Sequence, residues 1–168
     1  MKKTLAIAVV AAALLPACGG YPKTAAEFRE GASKSSLASK DSFEVRRPLD
    51  QVARTWQRKA AECLNQRVAI TTRSNAGTRT TYNQHKGTVV VTKDHAELSF
   101  QSVDEAATHL KFPPGGLYFL VADAYPVSRD TTRVEIVRAR VDIVADAIKA
   151  WSAGKDQGCP DPTRIFPI

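Results

Sequence analysis

The sequence predicts an α+β fold: an antiparallel β-sheet with two amphipathic helices packed on one face, in the order β-α-β(n)-α. Three observations carry this. Leu49, Val52, Trp56, Ala60, Cys63 and Leu64 recur at spacings of three and four, the apolar stripe of a helix. Val144, Ala147, Ile148 and Trp151 form a second stripe, with Val141 one turn earlier. Between them lie alternating, β-branched segments separated by turn residues at hairpin-like spacing. Two apolar stripes need a shared apolar surface, which puts both helices on one side of the sheet.

Taken in order, Phe43-Glu44-Val45-Arg46 alternates and reads as a strand that Pro48 stops. The first helix follows, with Asp50, Arg54, Gln57, Arg58 and Glu62 on its polar face. Residues 68–72, 78–84, 87–92 and 96–101 read as strands, with turns at Ser74–Gly77 and Lys93–His95. Residues 103–110 fit no regular period. Phe112-Pro113-Pro114-Gly115-Gly116 has loop chemistry. Leu117 to Ala124 is a nearly continuous apolar strand, and Thr132 to Arg138 returns after the Ser128–Thr131 turn. Gly154 is placed to cap the second helix, and the tail from Asp161 carries Pro162 and Pro167.

The first 17 residues have the order of a secretion signal. Lys2 and Lys3 precede an uninterrupted apolar run, Leu5 to Leu15, and a small residue, Ala17, follows. As a helix that run spans roughly 16 Å, about half a bilayer core, which is too short to cross. Leu15-Pro16-Ala17-Cys18 resembles the lipobox of bacterial lipoproteins, with Pro16 in place of the usual small or hydroxyl residue. The resemblance implies that Cys18 receives a diacylglyceryl thioether, is exposed by cleavage and is then N-acylated. Several acyl chains make a stable anchor. Gly19 rather than Asp follows, which by the sorting rule of enteric lipoproteins implies the outer membrane, with the domain facing the periplasm. The expected organisation is a signal over residues 1–17, a lipidated flexible tether over 18–42, and one domain over 43–168. Within the tether, Thr24 and Glu27 fit the capping box of a short helix that Gly31 would end.

The full chain of 168 residues has 24 basic and 17 acidic residues, net +7. Loss of Lys2 and Lys3 on cleavage lowers the basic count to 22 and the net charge to +5. The basic residues are scattered and not interleaved with aromatics, which argues against nucleic acid as a partner. Of the three cysteines, the anchor takes Cys18. Cys63 and Cys159 are then expected to pair, since export places them where disulfides persist. Two cysteines without histidines at ligand spacing do not complete a tetrahedral zinc site, and His85, His95 and His109 lie on separate segments. No metal and no cofactor is implied.

The element order resembles the helix-grip and TATA-binding-protein-like folds, including the small domains of the periplasmic lipoprotein subunit of the outer-membrane assembly machine. The segments Tyr21-Pro22-Lys23-Thr24-Ala25-Ala26-Glu27-Phe28-Arg29 and Phe43-Glu44-Val45-Arg46-Arg47-Pro48 are similar to those of uncharacterised proteobacterial lipoproteins. That resemblance implies no activity, and fold does not settle function.

Enzyme chemistry is not expected. There is no G-x-S-x-G, no histidine in a nucleophile context, and Asp104-Glu105 are adjacent rather than facing. The functional expectation is a membrane-anchored structural or interaction module, with membrane lipid as one partner and an envelope protein as another. Arg46, Arg47, Arg54 and Arg58 form a candidate patch for an anionic partner. The alternative is a small apolar ligand or lipid held in a cleft lined by Trp56, Phe100, Tyr118, Phe119 and Trp151, residues that ordinary core packing also explains.

Overall fold

The computed structural model describes residues 20–75, 77–107, 111–155 and 157–165. The expected signal, Cys18, Gly19, His109 and Phe166 lie outside them. The elements are α1 (Ala25–Ser33), β1 (Ala38–Val45), α2 (Leu49–Cys63), β2 (Arg67–Ser74), β3 (Gly77–Val91), β4 (Ala96–Asp104), β5 (Leu117–Ser128), β6 (Thr131–Ala139), α3 (Asp142–Ser152) and a short 3-10 turn, Pro162–Arg164. The fold is α+β, as the sequence predicts. Six strands form one sheet in the order β1-β6-β5-β4-β3-β2, every pair antiparallel. Strands β2 to β6 meander, and β1 adds to the far edge beside β6. Helix α2 therefore carries the chain from one edge of the sheet to the other.

The two amphipathic helices share one face. Val52, Trp56, Ala60 and Cys63 of α2 and Val144, Ile148 and Trp151 of α3 join Leu98, Phe100, Leu120, Ala122, Val134 and Ile136 in one buried cluster. Each large apolar side chain fully removed from water contributes about 1.5–3 kcal/mol. The one polar atom that Trp56 brings into this cluster is satisfied: its indole N–H donates to Ser152 Oγ at 3.0 Å, and Ser152 in turn donates to the Ile148 carbonyl.

The helices run antiparallel. Arg47, just before α2, sends its guanidinium to the Trp151 and Ser152 carbonyls at the C-terminal end of α3, 3.0 Å each. The disulfide Cys63–Cys159 is formed, with Cα atoms 5.0 Å apart. It does not join the C-terminal ends of the two helices, which lie apart because the helices are antiparallel. The tail instead folds back beside Ile143, Asp146 and Ala147, so Cys159 meets the end of α2 from the N-terminal side of α3. Ile165 then buries itself in the main cluster.

The tether is corrected. Residues 25–33 are helical, two residues past Gly31, and residues 38–45 are an edge strand paired with β6. Thr24 caps α1 by accepting from the Glu27 N–H at 3.1 Å, while Glu27 accepts from Lys23 N–H. Helix α1 lies on the sheet face opposite α2 and α3, where Ala25 and Phe28 meet Val121, Tyr118, Val137 and Ala139. Helices thus cover both faces.

Strand β3 is one strand, not two, because Gly87 continues it. A Cβ on Gly87 would sit 2.6 Å from Leu64 Cβ and 3.3 Å from Ala60 Cβ. Only the hydrogen lets α2 approach this closely. Gly87→Ala is expected to cost about 1–3 kcal/mol through overpacking. Its urea midpoint should fall with the slope unchanged; an unaltered midpoint contradicts the close approach.

Candidate functional site

The candidate arginine patch does not assemble. Arg47 turns inward to cap α3 and also reaches Thr55 Oγ1 at 3.1 Å. On the exposed face of α2, Arg54 pairs with Asp50 at 2.8 Å and Arg58 with Glu62 at 3.4 Å, each one turn away. Such i,i+4 pairs are worth little in energy, yet they neutralise the field an anionic partner would read. Arg46 stays exposed.

The five aromatics of the expected cleft do not line one together. Trp56, Phe100 and Trp151 are buried in the main cluster. Tyr118 points to the other face, stacked on Phe28 with ring centroids 6.2 Å apart. Phe119 packs against the main cluster and lines a surface recess of about 220 Å³ with Phe112, Leu117, Asn83, Ser102 and Asp104. The loop feeding that recess is held from beneath. Gln101 donates to the Pro114 and Gly116 carbonyls at 3.1 and 2.9 Å. Gly115 and Gly116 adopt φ of +86° and +98°, values that side chains resist.

A charged cluster that the sequence reading missed lies under α1. Asp123 sits in β5 with its side chain almost fully buried. Arg29 of α1 grips it with two hydrogen bonds, Nε to Oδ2 at 2.7 Å and Nη2 to Oδ1 at 2.6 Å, and also pairs with Glu97 of β4. His95 Nε2 lies 2.8 Å from Asp123 Oδ1, and its ring stacks on Tyr125 at 4.8 Å. The signal was a lone Asp in an apolar strand, since a carboxylate there must find a partner. The His95–Asp123 contact has the shape of a catalytic dyad. The guanidinium, however, takes both oxygens of the carboxylate, which makes the cluster a tie between helix and sheet. Among the described residues, no group of three or more His, Cys, Asp or Glu is placed to hold a metal ion.

His85 is also buried, edge-on to Phe100 at 5.4 Å. Burial pushes its imidazole down to about 4.

No family model matches the chain, and no curated protein matches it. Among solved structures, the crystal structure of protein Ms6760 from Mycobacterium smegmatis is similar over 71% of this chain and 87% of that one, at 13% identity and a TM-score of 0.31.

Two outcomes test the geometry. Arg29→Ala leaves a buried carboxylate without its guanidinium and should lose about 2–3 kcal/mol of stability. A double-mutant cycle with Asp123→Ala should return a coupling above about 1 kcal/mol, whereas additive losses contradict the tie. His85 carries a folded pKa below its unfolded one, so the unfolded chain takes up its proton first. Stability should therefore fall as pH drops from about 6.5 to 4, by up to about 3 kcal/mol, and His85→Leu should remove that part of the slope in thermal melts.

Proposed function

We propose that this chain is a lipid-anchored envelope protein. Cys18 carries the acyl chains in the outer membrane, and the α+β domain faces the periplasm as a structural or interaction module. The observation that supports this reading best is how the three cysteines divide. Cys63 and Cys159 close on each other across 96 residues, a bond that persists in oxidising compartments. That leaves Cys18, which stands at the end of the signal-like segment in the lipobox position.

The clamped α1 gives the reading a mechanical form. The helix begins seven residues after Cys18 and is tied to the sheet by Arg29. An anchored Cys18 would hold the domain close to the bilayer and in a restricted orientation. No reaction is assigned to the His95–Asp123 contact, since Arg29 already holds that carboxylate.

The test is expression in a Gram-negative host with mass analysis of the N-terminal peptide. The expected peptide begins at Cys18 and carries the diacylglyceryl and amide-linked acyl masses, and the protein fractionates with outer membranes. Cys18→Ser should release it from that fraction. An unmodified Cys18 on a protein that stays out of the membrane would contradict the reading.

A further inference from the structure

The end of the domain that holds Tyr21 carries exposed aromatic and basic side chains. Tyr21 is 46% exposed and sits beside Phe112 of the β4–β5 loop, ring centroids 6.1 Å apart. Phe112, Leu117 and Phe119 form the apolar wall of the 220 Å³ recess at the same place. Lys23 and Lys111 flank the two aromatics in the chain and are exposed.

The sheet register brings a second element to this end. Pairing of β3 with β4 stops at Asn83 and Asp104, beside the recess. Strands β2 and β3 continue past it as a two-stranded ribbon, from Ala69 opposite Tyr82 to Ser74 opposite Gly77. On its outer part both faces are open to solvent, including Thr71, Thr72, Thr78 and Thr80. It holds Arg73 and Arg79 and no acidic residue between Val68 and Gln84. The acids near this end are engaged: Glu105 binds Arg67 through two 2.8 Å hydrogen bonds, and Asp104 accepts from the Ala106 N–H.

We propose that this end, the Tyr21–Phe112 pair with the Arg73/Arg79 ribbon, docks on the anionic headgroup surface of the bilayer that holds Cys18. The proposal rests on the lipid-anchor reading. Three residue steps separate Cys18 from Tyr21, so the Tyr21 Cα lies within about 11 Å of the anchored Cα. The Arg29 tie prevents α1 from swinging the domain away. Exposed aromatics settle at the membrane–water interface, and Lys and Arg are drawn to anionic headgroups. Charge and apolar surface therefore both meet the lipid on the side where the chain enters it. The opposite end, the Ser128–Thr131 turn, lies a full strand away, roughly 35–40 Å for the twelve residues of β5.

The full chain is purified with its disulfide intact, and the Cys18 peptide is weighed first. Single nitroxide labels are placed through Lys111→Cys, Thr80→Cys and Arg129→Cys, and the protein is reconstituted in nanodiscs of phosphatidylethanolamine with or without phosphatidylglycerol. The expected ratio of oxygen to water-soluble nickel accessibility is several-fold higher at 111 than at 129. The label at 80 should lose nickel accessibility when phosphatidylglycerol is present, and Arg73→Glu with Arg79→Glu should restore it. Acylated protein with equal ratios at 111 and 129 overturns the docking while leaving the anchor in place. Spin–spin broadening between labels at position 80, with 111 in water, makes the ribbon a contact between two copies and also overturns it. An unacylated Cys18 overturns the anchor reading and this proposal with it.

Discussion

The grip of Arg29 on Asp123 decides what the N-terminal third of this protein is. A carboxylate buried in the middle of a sheet is costly unless a cation and hydrogen bonds meet it. Here the cation comes from a different element, 94 residues earlier in sequence, and binds through two parallel N–H···O contacts. Satisfying Asp123 requires α1 to lie on the sheet. Once it lies there, Phe28 has Val121 and Tyr118 to pack against. Strand β1 then begins five residues after α1 ends and pairs along β6. The sheet becomes a middle layer with helices on both sides.

The larger core on the opposite face is organised by close approach and by closure. Gly87 lets α2 settle on β3, Trp56 and Ser152 tie α2 to α3, and the returning tail is fastened to α2 by Cys63–Cys159. A closed loop of this length confines the unfolded chain by about 4–5 kcal/mol in the chain-entropy picture. At the other end of α2, Arg47 is drawn into the structure. Its Nη1 donates to the Trp151 and Ser152 carbonyls at the end of α3, which removes it from any surface role.

Local patterns are legible in the sequence, and long-range partners are not. The α2 stripe, the α3 stripe, the Thr24 cap and the Cys63–Cys159 pair each follow from spacing, from compartment or from residue type, and each is present. Helix α1 is legible as a short capped helix but not as part of the domain, because its apolar face is only Ala25, Phe28 and Ala32, too little to promise burial without a sheet to receive it. The neutralisation of Arg54 and Arg58 was legible, since Asp50 and Glu62 stand one turn away in the same helix. The inward turn of Arg47 was not, because its acceptors lie more than 100 residues on. For the cleft, aromatic content is a poor guide: a register shift in the β4–β5 pairing, where Phe100 faces Leu120 but Gln101 faces Tyr118, turns Tyr118 to the α1 face of the sheet, while Trp56 and Trp151 fill the other.

Whether residues 25–33 are a clamped helix or a loose tether separates two pictures of how an anchor would hold this domain. Native-state hydrogen exchange on the full chain decides between them. With Arg29 on Asp123, the amides of Arg29 to Ala32 should be protected to the same order as those of the edge strand β1 and its neighbour β6. Exchange of these amides at unprotected rates, while the sheet stays protected, would contradict the account.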